Sequence, residues 1–206
     1  ALAKAVEYLA STRHTVSFIG AIGVGKTSAL CSLTGLTAAG KPVLSHGAGR
    51  TTLCEVRILE GPEYGLIVEP LPPHEVTQIV EDFCEFIWAR ANGVQNDEDT
   101  TLDLSVELKR CIRNMTGLVQ KRDRETKSVQ DLAVDLARES ESKSALKRSI
   151  ISLLNINERT YREAWYQGER GGEHEWLSKI FGDINHGKTS TFSIPKSIRV
   201  ILPRPL

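Results

Sequence analysis

Apolar residues recur at helical spacing along much of this chain and gather in short strand-like runs elsewhere, and the two patterns divide it into segments. The clearest helix covers residues 74–91, where Val76, Ile79, Val80, Phe83, Ile87 and Trp88 share one side. Further helices are predicted over 3–11 (Val6 and Leu9 on one side), 28–35, 102–115, 124–139 (Val129, Leu132, Val134 and Leu136 on the apolar side), 144–154 and 157–166, and residues 175–181 also read as helical. Thr15, Val16, Ser17, Phe18 and Ile19 form a short β-branched run expected of a buried central strand. Residues 53–59 alternate, residues 64–69 are more continuously apolar, and Glu60, Gly61, Pro62 and Glu63 join them tightly enough to predict a hairpin. The second of these strands is expected beside the strand at 15–19. Residues 190–194 and 198–202 read as two more strands around Pro195, Lys196 and Ser197.

The breaks between these elements set the organisation. Residues 35–52 are rich in Gly, Ser, Thr and Pro and read as a mobile loop. Residues 93–100 hold Asp97, Glu98 and Asp99 but lack the ordered ligands and central glycine of a calcium loop, so they read as a solvated linker. The expected domains are the first part of a core at 1–72, a helical insertion or subdomain at 73–182, and strands returning to the core at 183–206.

Composition narrows the classes. The 206 residues hold 26 basic and 26 acidic side chains, a balance that gives no global pull toward nucleic acid or an anionic membrane. Lys121, Arg122 and Arg124 are offset by Asp123 and nearby glutamates, so a nucleic-acid partner is not indicated. No apolar run is long enough for a transmembrane segment, and acidic Glu7 argues against a signal peptide. Cys31, Cys54, Cys84 and Cys111 have no paired-ligand spacing and are expected to be reduced, mostly buried thiols of a cytoplasmic protein. His14 is expected at the surface. Tyr161, Trp165, Tyr166 and Trp176 are expected to pack the helical region's own core, with a docking face for a partner domain as the alternative.

The candidate chemistry lies in residues 20–27, where Gly20, Gly25, Lys26 and Thr27 have the spacing of a phosphate-binding loop, or Walker A motif. Glycines let consecutive N–H groups turn around phosphate oxygens, and the helix that follows adds its unpaired amides and positive end. Gly20, Gly23, Val24, Gly25, Lys26, Thr27 and Ser28 are the expected nucleotide contacts, with Lys26 reaching the β and γ phosphates and Thr27 ligating Mg²⁺. Thr51 or Thr52 is the expected switch residue that senses Mg²⁺ and the γ phosphate. Arg50 stands where it would neutralise developing charge, and Glu69 is the nearby acidic candidate for holding Mg²⁺ through water. Residues 182–189 repeat the glycine-lysine-threonine spacing, but the predicted helix before them and extended chain after them are the reverse of what a phosphate loop needs. Gln120, Lys121, Arg122 and Asp123 are dismissed as a guanine reader because they fall between helices.

The loop at 20–27, the Arg50-Thr51-Thr52 segment and the two strands after it together resemble the start of a GTPase domain of the broad dynamin-like and translation-factor class. The resemblance covers about the first 70 residues and implies an α/β fold: a P-loop NTPase sheet with helices on both faces and a largely helical insertion. So few strands can be placed that the chain is expected to be an incomplete domain. The resemblance implies Mg²⁺ and GTP or ATP as cofactors. It places Glu69, Pro70, Leu71 and Pro72 at the second switch, where they depart from the Asp-x-x-Gly pattern at both ends. The implied function is Mg²⁺-dependent nucleoside triphosphate binding and hydrolysis by a hydrolase, GTP slightly favoured. Nucleotide state would be coupled to a protein partner, to self-association or to other domains of a longer chain. The alternatives are an ATPase module of a larger defence or DNA-associated protein, and a degenerate nucleotide-binding scaffold without turnover.

Overall fold

The structure, a computed structural model, describes residues 16–19, 24–44, 53–93, 104–122, 128–168, 171–191 and 193–203. The helix expected at 3–11, Gly20, Gly23, most of the acidic linker and the Arg50-Thr51-Thr52 segment lie outside these residues. The fold is mixed α/β, built from a four-stranded mixed sheet and a helical unit, each with its own apolar core.

The first helix, α1 (Lys26–Leu33), stops as expected at a glycine: Thr34 caps it and Gly35 turns the chain with φ 71°. A small antiparallel ribbon follows, β1 (Thr37–Ala38) and β2 (Lys41–Pro42), inside the stretch read as loop. The main sheet contains β3 (Glu55–Glu60), β4 (Gly65–Pro70), β7 (Ala164–Gln167) and β8 (Pro195–Leu202), in the order β3-β8-β4-β7.

The hairpin expected of β3 and β4 does not form. β8 lies between them, parallel to β3 with Val56 opposite Ile198, and antiparallel to β4 with Leu66 opposite Val200. β8 carries Ile198, Val200 and Leu202 on the covered face, and its central position pairs the backbone groups of both its edges while putting this run over the core. β8 is also one continuous strand, where two flanking Pro195 were expected. Nor do residues 16–19 form the expected buried strand. They lie in no strand, and Val16 and Ile19 are 72% and 94% exposed. β-branched composition stabilises a strand only through neighbours on the sheet, and these four residues have none among the described residues.

Leu66 and Val68 of β4 and Ile198, Val200 and Leu202 of β8 point to one face of the sheet. There they meet Cys31 of α1 and Leu177, Phe181 and Ile184 of α6 (Glu173–Asn185). The opposite face carries Glu55, Arg57, Leu59 and Trp165, all exposed. Helices of the described residues therefore cover one face, not both as expected. Trp165 lies across Gly65, so a side chain at that glycine would collide with the indole. Trp165 is thus half-exposed on the sheet surface, not in the core.

The helical unit comprises α2 (Pro73–Ala91), α3 (Val106–Thr116), α4 (Leu132–Glu139) and α5 (Lys143–Leu154). Pro73 opens α2 where its missing N–H costs nothing, and Val76, Val80, Phe83 and Ile87 are buried as their spacing predicts. Ser105 and Ser142 cap α3 and α5 through the amides of Leu108 and Ala145. Lys143 and Lys147 of α5 pair with Glu85 and Glu81 of α2. The helix expected from 124 begins instead at Leu132. Asp131 caps it by accepting from Ala133 and Val134, and Val129 belongs to a ribbon of β5 (Gln120–Arg122) and β6 (Val129–Asp131). Asp131 also takes the Arg113 guanidinium in a buried pair, and Gln120 donates to it at 2.9 Å.

After α5 the expected helix at 157–166 shrinks to a 3₁₀ turn, Ile156–Glu158, and β7 takes its place. Ile67 and Leu66 of β4 face Trp165 and Tyr166 across the pair. An aromatic pair flanking an edge strand has this partner only in three dimensions, so the local pattern does not disclose it. The chain is thus back at the sheet from Ala164, with α6 packed on its core, earlier than the expected boundary at 183.

Candidate functional site

The loop into α1 is built by one unusual backbone conformation. Gly25 caps the helix with φ 86° and ψ 17°, in the left-handed region. A Cβ there would meet nothing within 4 Å, so the requirement for glycine is conformational and owes nothing to crowding. The Gly25 carbonyl already accepts the amide of Ala29 at 2.9 Å, which commits Lys26 to the first helical turn. A left-handed residue directly before a right-handed turn sets consecutive N–H groups around a shared concavity, the arrangement that favours an anion.

No side chain caps α1, and no acidic residue lies in its first turn. Among the described α-helices this combination is unique: α3, α4 and α5 have capping side chains, and α2 and α6 carry Glu75, or Glu173 and Glu175, in the first turn. Lys26, Thr27 and Ser28 are half-buried, and Val24 is 62% exposed. The structure therefore brings Val24, Gly25, Lys26, Thr27 and Ser28 together at one helix end. Gly20, Gly23, Arg50, Thr51 and Thr52 lie outside the described residues.

Glu69 is placed differently. Its carboxylate accepts from Ser197 Oγ at 2.9 Å and pairs with Lys196 Nζ at 3.2 Å. The Ser197 hydrogen bond first, then Lys196, hold its pKa below the usual carboxylate value. Ser197 is its cross-strand neighbour, so Glu69 sits on the open face of the sheet, whereas α1 packs on the other. Its environment is a surface charge ladder. Among the described residues no three His, Cys, Asp or Glu side chains converge to hold a metal. A Mg²⁺ bound by one hydroxyl, phosphate and water would not require such a cluster.

The repeat at 182–189 has the opposite architecture. Gly182 lies inside α6, and Gly187, with φ 65°, follows its end. Gly187 N–H donates to Ile184 O at 3.0 Å and Lys188 N–H to Asp183 O at 2.8 Å, which together make a Schellman cap. These amides satisfy the helix's own carbonyls and face no anion. Gln120 is likewise engaged, by Asp131.

One feature has little sequence signal. A cleft of about 560 Å³ opens beside the N-terminal turn of α6, lined by Ala38, Tyr64, Gly172, Glu173, His174 and Pro203. Pro203 follows β8 directly and Tyr64 precedes β4, so the cleft lies at that end of the two strands. The only sequence hint is the Gly171-Gly172 pair before a helix. Gly171 N–H donates to the Glu173 carboxylate, and backbone hydrogen bonds hold that carboxyl's pKa down. Burial pushes the Tyr64 phenol up, with Glu173 adding to it.

The cysteines are free, and Cys31, Cys84 and Cys111 are buried. Burial pushes Cys54 and Cys111 up to about 12 and Cys84 to about 11, so these thiols stay protonated at neutral pH and react slowly, through local opening. No described helix is long and apolar enough to cross a membrane. No protein-family model matches the chain, and no curated protein matches it.

Proposed function

We propose that this chain binds a nucleoside triphosphate with Mg²⁺ through residues 20–28, GTP slightly favoured over ATP. The observation that carries the reading is the start of α1. A left-handed glycine stands immediately before the lysine-threonine pair, at the one described helix end with neither a capping side chain nor an acidic residue. Lys26 is the phosphate ligand in this reading, Thr27 the Mg²⁺ ligand, and the amides from Gly25 to Ser28 the cradle. Thr51 or Thr52 senses the γ phosphate, with Arg50 offsetting charge, and the helical unit passes the nucleotide state on to a protein partner or a second copy.

A second reading, binding without turnover, has its own support. Glu69, the acidic candidate for holding Mg²⁺, is engaged by Ser197 and Lys196 on the sheet face away from α1.

The test is a titration with GTP and with ATP, each with Mg²⁺, on the wild-type chain and on Lys26→Ala and Thr27→Ala. The expected result is saturable binding that Lys26→Ala abolishes and that loses its Mg²⁺ dependence in Thr27→Ala. Phosphate release measured on the same samples separates the two readings. Binding of neither nucleotide by the folded wild-type chain refutes both.

A further inference from the structure

We propose that Asn185 is a positioning residue that ties the segment after Thr51 and Thr52 to the helical unit, so that nucleotide at the loop alters packing around α3. The proposal rests on the nucleotide-binding reading above.

Leu53 follows Thr52 directly, and its N–H donates to Asn185 Oδ1 at 3.0 Å. Asn185 is the last residue of α6 and only 5% exposed. A buried acceptor held to a backbone donor makes a bond that is costly to leave unmade, so Leu53 and Asn185 move as a pair. The next two residues are fixed against α3. Asn114 Nδ2 donates to His186 O at 2.7 Å. Gly187 fits so closely that a Cβ there would stand 2.7 Å from both the carbonyl oxygen and Sγ of Cys111, and 2.9 Å from Met115 Cγ.

Leu53 itself packs on the helical core, and Cys54 feels the Cys111 thiol after the larger effect of its own burial. One hydrogen bond therefore joins the residue after the expected switch threonines to a junction with no slack. A displacement of Leu53 either breaks that bond or shifts α3, because close-packed contacts transmit small movements. The Ser193 hydroxyl, which donates to Leu71 O at 3.2 Å, joins the segments flanking β4 and β8 and takes no part in the Leu53–Asn185 bond. It supplies the control.

The experiment uses the full chain with and without Mg²⁺-GTP and Mg²⁺-ATP, and reads the alkylation rate of the buried Cys111 thiol by mass spectrometry. Nucleotide is expected to change that rate in the wild type by about 3- to 30-fold, the span of ordinary coupling energies. Asn185→Ala is expected to retain nucleotide affinity within about threefold and to lose the change, on the same scale of coupling. Asn185→Asp, which keeps the acceptor oxygen, restores it, and Asn114→Ala breaks the link from the helical side. Ser193→Ala leaves it intact.

An undiminished response in both Asn185→Ala and Asn114→Ala overturns the proposal, as does equal loss in Ser193→Ala, which would reveal general loosening. If Asn185→Ala does not fold, Asn114→Ala and Asn185→Asp decide. Absence of nucleotide binding by the wild type overturns the underlying reading first and is seen in the titration alone. Binding without a Cys111 response overturns the coupling alone.

Discussion

Residues 20–27 and residues 182–189 follow the same spacing of glycine, glycine, lysine and threonine, and the fold puts them at opposite ends of helices. Gly25 is left-handed ahead of α1, and Gly187 is left-handed behind α6. Gly25 supplies no capping side chain to α1, whereas the amides of Gly187 and Lys188 are used by Ile184 and Asp183. Space differs as well: nothing lies within 4 Å of a Cβ on Gly25, while Gly187 is wedged against Cys111 and Met115. Pattern alone does not make an anion site. What matters is which way the helix runs from the glycine, and whether its amides are already engaged.

The largest expected effect sharpens this contrast through stability. Gly187→Ala adds a left-handed penalty to a steric collision with α3 and should cost about 3–4 kcal/mol, whereas Gly25→Ala should cost about 1 kcal/mol from conformation alone. Urea melts of both variants measure the difference, and equal losses would break the comparison. Next comes binding. Lys26→Ala should weaken nucleotide by at least about 100-fold, near 2.7 kcal/mol, while exposed Lys188→Ala should leave affinity unchanged.

A smaller effect concerns the wall behind Gly187. Burial pushes the Asp131 carboxyl up, but hydrogen bonds from Arg113 and Gln120 and the Arg113 charge hold its pKa, on balance, below the ordinary value. Its stabilisation is complete above the unfolded value of about 3.9 and is lost as pH falls through the lower folded value. Asp131→Asn should therefore destabilise the chain by about 1–2 kcal/mol at neutral pH and flatten the acid limb of its stability curve below about pH 4. Melts across pH 2–7 (about this range suffices) would show it, and an unchanged acid limb would count against the Asp131–Arg113 pair.

The local half of this architecture was legible in the sequence. Val76, Val80, Phe83 and Ile87 repeat at helical spacing because one face of α2 meets a core, and the Gly25-Lys26 junction announced the start of α1. Pairing across long separations was not legible. Nothing in residues 53–69 says that residues 195–202 will come between them, and Trp165 and Tyr166 suit a helix face as well as an edge strand until β4 is beside them. The beginning of α4 was misread for a related reason. Asp131 acts as a cap only because Arg113 and Gln120 offset the burial of its charge. Glu69 looked available as a ligand because its partners, Lys196 and Ser197, are distant in the chain.

The central position of β8 has a consequence for how the chain is made. β3 emerges early, yet it has no neighbour in the described sheet until β8 has been synthesised, roughly seven to thirty seconds later at ribosomal rates, whereas β4 can pair with β7 once Gln167 is made. The helices of the helical unit meet through contacts nearer in sequence, with Ile194, just ahead of β8, completing their core. During that interval Val56 and Ile58 of β3 wait without a sheet, and their shelter would have to come from the folded helices, from a chaperone or from the ribosome itself. Vectorial synthesis thus makes β8 the keystone that joins β3 to the β4–β7 pair.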